Sequence, residues 1–249
     1  MYQFFIEDEN AAEDFVTIEG SDVNHIKNVL RMKPGEKIRV CTRNGQNYFC
    51  SISDITESFV RAHILEKEAE STELPCRIYL FQGLPKNDKM EWIIQKTVEL
   101  GVYEVIPVAM KNCVVKLDDK KAKSKVMRWQ AIAESAAKQS KRSLTPEVKM
   151  PMSYKEAVAY AKELDVKLVP YENEHGMAGT KAAMEQIKKG ESIAVFIGPE
   201  GGFAPEEIAL VQDEMQLISL GKRILRTETA GIAALAILGY QLESSDMIE

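Results

Sequence analysis

Two loops near the end of the chain carry the side chains best suited to chemistry. The first, which we call the glycine turn (residues 198–203), reads Gly-Pro-Glu-Gly-Gly-Phe. The second, the closing loop (residues 220–226), ends on Arg226 and is followed by Thr-Glu-Thr-Ala. Glycines let the backbone approach a ligand closely and expose its N–H and C=O groups. An arginine in such a loop can pair with a carboxylate or stabilise a developing anion.

Each loop is expected to connect a strand to a helix. The apolar run 193–197 predicts a buried strand before the glycine turn, and Pro205 with two acids predicts a helix start after it. The closing loop lies between a predicted strand at 216–220 and a predicted helix at 228–242. Ligands bind at the carboxyl ends of strands in open α/β sheets, so two adjacent loops of this kind favour a ligand site. The alternatives are a plain turn at the first loop and, at the second, a helix capped by Thr227 with Arg226 on the surface.

The remaining pattern predicts two domains, at residues 1–70 and 74–249. Short strand patterns and an Asn44-Gly45 hairpin signal indicate a small β-barrel at the N-terminus, where Ser21 is expected to cap a helix at 22–30. A charged stretch at 66–73 is the candidate linker. Beyond it, strands and helices alternate, as in an α/β domain with a largely parallel sheet, and one of these helices is expected at 180–189, ended by Gly190.

The composition argues against a membrane-spanning protein and against a metal site, and it favours a cytoplasmic protein. The hydrophobic content of 45% and charged content of 28% are ordinary for a soluble protein, and the longest apolar run near the C-terminus is about half of a bilayer span. The four cysteines and three histidines do not have the spacing of metal ligands, so no metal is expected. The net charge is −6, but residues 111–150 contain eleven basic and four acidic residues. Such a cluster either attracts phosphates or is a solvated helix face.

The two loops together resemble the RsmE family, which are bacterial 16S ribosomal RNA uridine-N3 methyltransferases of the SPOUT superfamily. The match comprises the glycine turn and the stretch Leu-Gly-Lys-Arg-Ile-Leu-Arg-Thr-Glu-Thr-Ala at 220–230. Residues 25–32, 91–102, 128–129 and 136–142 also resemble the family, so the resemblance covers nearly the whole chain. It implies a PUA-like barrel followed by a SPOUT domain with a C-terminal trefoil knot, and it implies a homodimer.

The same resemblance implies S-adenosylmethionine as cofactor and 16S ribosomal RNA, or the small ribosomal subunit, as partner. The expected cofactor-binding residues are Tyr171, Glu172, Ile197, Gly198, Pro199, Glu200, Gly201, Gly202, Leu220, Gly221, Ile224, Leu225, Arg226, Thr227, Thr229 and Ala230. The expected RNA-binding residues are His25, Arg31, Lys116, Lys138 and Arg142. One position departs from the family pattern, because Asn112 occupies a place where arginine is common. This departure affects the expected RNA affinity rather than the cofactor site.

For methyl transfer to uridine N3, the expected catalytic residues are Arg226, Glu200 and Glu228. Arg226 is expected to donate hydrogen bonds to the anion that develops on the base, and Glu200 or Glu228 to accept the N3 proton or to orient Arg226. The sequence does not distinguish between the two glutamates. Two other functions share parts of the pattern: a SPOUT enzyme that methylates another RNA position, and a non-catalytic RNA-binding protein of ribosome assembly.

Overall fold

A computed structural model describes residues 1–68 and 71–244. Two positions of the predicted linker, 69 and 70, and the last five residues of the predicted second domain lie outside these ranges. The described chain forms two compact units. The first contains Met1–Glu73 and Ala137–Thr145, and the second contains Leu74–Ala136 and the chain from Pro146 onward. The first unit therefore includes a segment, 137–145, that the predicted bounds place in the second domain.

The first unit is a five-stranded sheet that curls into a half-barrel, with the strand order β1-β3-β4-β5-β2. β1 and β3 are parallel, and the other pairs are antiparallel. Phe4, Ile18, Ile26 and Ile38 are among the fully buried side chains of its core. The strands and the short helix of this unit are β1 (Tyr2–Ile6), β2 (Phe15–Glu19), α1 (Ser21–Asn24), β3 (Lys37–Thr42), β4 (Asn47–Ile55) and β5 (Phe59–Glu68).

The segment Ala137–Thr145 is held in the first unit by buried polar contacts. The Gln3 side chain donates a hydrogen bond to the Arg142 carbonyl at 2.6 Å, and the Asn47 amide donates one to the Ser143 hydroxyl at 2.8 Å. Arg142 is 3% exposed and forms an ion pair with Glu73. Each of these contacts pairs a buried polar group that would otherwise cost free energy, so they tie the segment to the first unit.

The second unit is an α/β domain around a parallel sheet with the order β12-β10-β11-β6-β7-β8, and β9 pairs with β7. Its core includes Phe81 and Phe196, whose rings stack with centroids 4.4 Å apart. The strands are β6 (Arg77–Gly83), β7 (Val102–Ala109), β8 (Glu147–Val148), β9 (Met152–Ser153), β10 (Val166–Pro170), β11 (Ser192–Ile197) and β12 (Gln216–Ile218). The helices are α2 (Lys89–Glu99), α3 (Asp119–Ser140), α4 (Tyr154–Lys162), α5 (Ala178–Glu185), α6 (Pro205–Val211) and α7 (Thr227–Ser244), and the last turn of α3 belongs to the first unit.

The predicted combination of a parallel-sheet α/β domain with a small N-terminal β-barrel is confirmed, and the trefoil knot stays a prediction. Local details differ. Ser21 does not cap a helix: it is the first residue of α1, the preceding Gly20 has φ +73°, and the helix continues as a π-helical turn, His25–Val29. Helix α5 ends at Glu185, four residues earlier than predicted, because the chain tightens there and the Ile187 N–H bonds to the Met184 carbonyl. Among the described residues, no helix is long and apolar enough to cross a membrane.

Candidate active site

The loops that follow β10, β11 and β12 border one cavity of about 640 Å³. This places the cavity at the carboxyl ends of three neighbouring parallel strands, where the topology of an α/β sheet predicts a ligand. Of the predicted cofactor-binding residues, those that line it are Tyr171, Glu172, Ile197, Gly198, Pro199, Glu200, Gly202, Leu220, Gly221, Ile224, Leu225, Arg226, Thr227 and Ala230. Gly201 and Thr229 are not among its lining residues.

Eight further lining residues were not predicted from the sequence. Seven of them lie within three residues of a predicted residue in the same stretch of chain, so extending each predicted loop by up to three residues would include them: Pro170, Glu174, His175, Phe203, Ser219, Lys222 and Arg223. The eighth, Lys89, comes from the start of α2, after the adjacent strand β6. No local pattern marked it, because its role depends on partners more than a hundred residues away.

The glycine turn is shaped by close backbone contacts. Gly202 has φ +67°, and its N–H bonds to the Pro199 carbonyl at 2.9 Å. At the end of β6, a Cβ on Gly83 would lie 2.7 Å from the Pro199 nitrogen. Such a distance leaves no room for a side chain, so the glycine turn packs directly on the end of the neighbouring strand.

A buried hydrogen-bonded chain connects β6, α7 and the glycine turn. The amide of Gln82, which is fully buried, donates to the Thr227 hydroxyl at 2.9 Å. That hydroxyl in turn donates to the Gly198 carbonyl at 2.6 Å. Thr227 is therefore the first residue of α7 rather than a surface cap, and it fixes the helix start against the glycine turn.

Lys89 lies between the two glutamates that were predicted to be catalytic. Its ammonium is 3.1 Å from Glu200 Oε1 and 3.1 Å from Glu228 Oε2. The Lys86 N–H also donates to Glu200 Oε1 at 3.1 Å. Glu228 Oε2 is buried and accepts no well-aligned hydrogen bond, so its contact with Lys89 is an ion pair without good hydrogen-bond geometry. One cation thus joins the start of α2, the glycine turn and the first turn of α7.

This cluster shifts the protonation of its members. Burial alone would raise the pKa of Glu200, but hydrogen bonds from the Lys86 N–H and the Lys89 ammonium hold that pKa below its usual value. The hydrogen bond to Glu200 raises the pKa of Lys89. Lys89 and Glu200 therefore remain an ionised pair at neutral pH, and Glu200 has donors in place before any ligand arrives.

The closing loop is more exposed than the glycine turn. Its start is anchored at Ser219, whose N–H and carbonyl both bond to the Thr180 hydroxyl at 2.9 Å. Gly221 then takes φ +109°, a conformation that favours glycine. Ile224 is 86% exposed and Arg226 is also exposed, and both line the cavity. The Arg226 carbonyl accepts the Ala230 N–H at 2.8 Å, so its backbone is fixed while its side chain remains accessible.

The predicted RNA-binding residues are distributed over both units. In the first unit, His25 and Arg31 are exposed, Lys138 bonds to both carboxylate oxygens of Asp22 at 2.8 Å, and Arg142 is buried against Glu73. In the second unit, Lys116 is exposed. The ion pairs of Lys138 and Arg142 favour a structural role for these two side chains, and RNA contact by any of the five stays a prediction. Within the described ranges, no cluster of three or more His, Cys, Asp or Glu residues could hold a metal ion.

Comparison with known proteins places this geometry in a family. Residues 72–239 match a family described as an RNA methyltransferase domain, and residues 18–65 match one described as an RNA methyltransferase PUA domain. The chain is 39% identical to ribosomal RNA small subunit methyltransferase E of Bacillus subtilis, over 98% of both chains.

Two solved structures are similar over nearly their whole length. The first is a ribosomal RNA small subunit methyltransferase E from Neisseria gonorrhoeae bound to S-adenosyl methionine, with 32% identity, a TM-score of 0.83 and 96% of each chain covered. The second is a Legionella pneumophila structure in complex with the bound cofactor SAM, with 30% identity, a TM-score of 0.82 and coverage of 95% of this chain and 96% of that one. The chain therefore belongs to the ribosomal RNA small subunit methyltransferase E family, the RsmE family that its paired loops resemble.

Proposed function

We propose that this protein transfers a methyl group from S-adenosylmethionine to N3 of a uridine in the 16S RNA of the small ribosomal subunit. One observation carries the proposal: fourteen of the sixteen predicted cofactor-binding residues line a single cavity at the strand ends. The family relationship supports the reaction and the RNA class, and the bound cofactors of two solved relatives support the cofactor.

The cavity fits such a cofactor. Its volume of about 640 Å³ is in the range of small-molecule sites, roughly 300–1,000 Å³. Leu220, Ile224 and Leu225 supply apolar surface for an adenine ring, while the glycine turn presents backbone groups. When bound, S-adenosylmethionine supplies an electrophilic methyl group on a sulfonium. The protein's own task is then to hold the uridine in line with that group.

Three charged side chains take part in this proposal: Arg226 and Glu200 line the cavity, and Glu228 contacts Lys89, which also lines it. Arg226 faces the cavity and donates hydrogen bonds to the uracil oxygens as the base loses its N3 proton. Glu200 and Glu228 are the candidate acceptors of that proton. Both are in contact with Lys89, which holds the two carboxylates close together until the substrate enters.

The basic residues around α3 contact RNA phosphates in this proposal. Lys116, Lys120, Lys121 and Lys123 are exposed in the second unit. Phosphate contacts set the register of a nucleic acid and make affinity depend on salt. We expect RNA affinity to fall steeply as salt concentration rises, and a salt-independent affinity would argue against this surface.

We also propose that the protein acts as a homodimer in the bacterial cytoplasm. Helix α7 is rich in apolar residues, and it exposes Tyr240 at 74%. Trp92, on the helix α2 that packs against α7, is 53% exposed. Exposed aromatic side chains are typical of protein interfaces. Sedimentation velocity should give twice the mass of one chain, and the mass of a single chain would refute the dimer.

The test of the proposed reaction uses labelled S-adenosylmethionine and small ribosomal subunits that lack the modification. Recovery of N3-methyluridine supports the proposal in full. A different methylated nucleoside keeps the cofactor but assigns another RNA position. RNA binding without any transfer, together with failure to bind the cofactor, favours a non-catalytic assembly protein instead.

Arg226→Ala tests the proposed role of the arginine. Loss of a donor to a developing anion typically costs about 10²–10³-fold in turnover, with folding and cofactor binding retained. Arg226→Lys is the matched control, since it keeps the positive charge without the planar pair of donors. Near-normal turnover in Arg226→Ala would remove this residue from the mechanism.

A further inference from the structure

Asn112, the residue that departs from the family pattern, holds the backbone of the glycine turn. It lies in the turn after β7, where the Cys113 N–H bonds to the Met110 carbonyl. Its side-chain amide donates to the Gly201 carbonyl at 3.0 Å and to the Gly202 carbonyl at 3.2 Å. An amide nitrogen has two N–H donors, so one side chain can satisfy both carbonyls.

The fit between Asn112 and the glycine turn is close. A Cβ added at Gly201 would lie 2.9 Å from the Asn112 Cβ and 3.4 Å from its carbonyl oxygen. The absence of a side chain at 201 therefore lets the backbone and Cβ of residue 112 lie against the glycine turn. From this position the short Asn112 side chain places its amide within hydrogen-bond distance of both carbonyls.

The residue before Asn112 fastens the same region through its backbone. The Lys111 N–H donates to Glu207 Oε1 at 2.8 Å, and Glu207 Oε2 accepts the Ala204 N–H at 2.8 Å at the start of α6. Lys111 also forms an ion pair with Glu206 through its side chain. Residues 111 and 112 thus hold both the glycine turn and the helix that follows it.

We propose that Asn112 is a positioning residue that sets the glycine turn in its cofactor-binding conformation. The inference rests on the proposed function, because it takes the glycine turn as a wall of the cofactor site. Gly202 adopts a left-handed conformation, and the carbonyls on either side of it are held by one donor. A loop fixed in advance loses less conformational freedom when a ligand binds. A neutral amide that is already occupied by two carbonyls adds little to phosphate binding, so Asn112 acts on cofactor affinity rather than on RNA affinity.

The experiment measures cofactor affinity and RNA affinity separately in Asn112→Ala. Loss of the two hydrogen bonds should weaken S-adenosylmethionine binding about tenfold, which corresponds to roughly 1.4 kcal/mol. Turnover at saturating cofactor and affinity for small-subunit RNA should stay within about twofold of the unmodified protein, since the expected effect is on cofactor binding. Asn112→Asp should weaken cofactor binding further, because a carboxylate would face two carbonyl oxygens.

Lys111→Ala is the matched control. It removes a neighbouring positive charge and an exposed ion pair with Glu206, which contributes little, but keeps the backbone N–H that bonds to Glu207, so cofactor affinity should not change. Asn112→Arg installs the residue common in the family and should also weaken cofactor binding in this chain. Unchanged cofactor affinity with weakened RNA binding in Asn112→Ala would overturn the inference.

A further measurement separates failure of this inference from failure of the proposed function. Amide hydrogen exchange at Gly202, whose N–H bonds to Pro199, reports the order of the glycine turn without any ligand. Faster exchange in Asn112→Ala supports the positioning role even if the protein were to bind another cofactor. Unchanged exchange would refute that role, whatever the reaction.

Discussion

The glycine turn and the closing loop border the same cavity, but the protein holds them differently. The glycine turn is bonded to three separate elements, through Thr227, Lys89 and Asn112. In the closing loop, no hydrogen bond or ion pair involving residues 222–225 is found within the part of the chain that the structure describes. One wall of the cavity is therefore set before a ligand arrives, and the other can adapt to it. Substitutions at the first wall should lower stability and cofactor affinity together, whereas substitutions at the second should lower affinity alone.

The largest loss of stability and of cofactor affinity is expected for Gly83→Ala. The new methyl group would meet the Pro199 nitrogen at 2.7 Å and its Cδ at 2.8 Å, so the glycine turn must move away from β6. Overpacking of this kind costs about 1–3 kcal/mol in the free energy of unfolding, and cofactor binding should be lost with it. Chemical denaturation and calorimetric titration measure the two effects. Gly239→Ala in α7 is the control, because its methyl group meets nothing within 4 Å outside its own helix and should be neutral or stabilising.

The second-largest loss of stability is expected for Thr227→Val, which keeps the shape of the side chain but removes its hydroxyl. In a buried environment, the Gly198 carbonyl would lose its partner, and the Gln82 amide, which also donates to the Gly83 carbonyl at 3.1 Å, would lose one of its two. An unsatisfied buried polar group costs about 1–3 kcal/mol of unfolding free energy. Thr229→Val, at an exposed position two residues later, should change stability little. Equal losses in the two variants would show that the buried chain does not hold the glycine turn.

A smaller, pH-dependent effect is expected for Lys89→Met. The lowered pKa of Glu200 contributes stability that is present above its unfolded-state pKa and is lost as pH falls through the folded-state value. Without Lys89, Glu200 loses a donor and Glu228 becomes an uncompensated negative neighbour, so the pKa of Glu200 rises. The variant should therefore be less stable near neutral pH, and it should lose less stability on acidification.

Because both side chains of the Lys89–Glu200 pair are about a quarter exposed, screening limits the change to below about 1 kcal/mol. Thermal unfolding at several pH values measures it. Lys96→Met, which breaks an ion pair of similar exposure with Glu99 on the same helix, serves as control. An identical pH dependence in the two variants would contradict the assigned role of Lys89.

The smallest effect on stability is expected in the closing loop, for Ile224→Ser. Its side chain is 86% exposed, so the free energy of unfolding should stay within about 0.5 kcal/mol. Cofactor affinity should nevertheless fall severalfold, because the apolar surface that would cover the adenine is lost. Met127→Ser on α3, at 75% exposure, should change neither quantity. A marked loss of stability in Ile224→Ser would mean that the closing loop is held as firmly as the glycine turn.

Local patterns in the sequence were sufficient to predict the elements around the cavity. The apolar run before the glycine turn became the buried core of β11, and Pro205 marked the start of α6. The Asn44-Gly45 signal lies in the turn between the antiparallel strands β3 and β4. In each case the conformation is set by residues close together in the chain, which is the information that periodicity and turn chemistry contain.

Contacts between distant segments could not be predicted in this way. Lys89 meets Glu200 and Glu228 only because β6, β11 and α7 are neighbours in the folded domain. From the sequence, Asn112 was expected to affect RNA affinity. In the structure its amide donates to carbonyls about ninety residues further along the chain. The end of α5 was also missed, because backbone turns after Glu185 outweighed the helical propensity of the following lysine-rich stretch.

The first unit is built from two separate segments of the chain, and this affects how it folds during translation. Glu73 and the strand bearing Gln3 must wait for the segment 137–145 to be synthesised before their partners exist. At ~5–20 residues per second, the 72 residues between positions 73 and 145 take roughly 4–14 s to add. A nascent chain that stops at residue 73 therefore has all five strands of the half-barrel but lacks the partners of Gln3, Asn47 and Glu73. The N-terminal unit should reach its full stability only after residue 145 emerges.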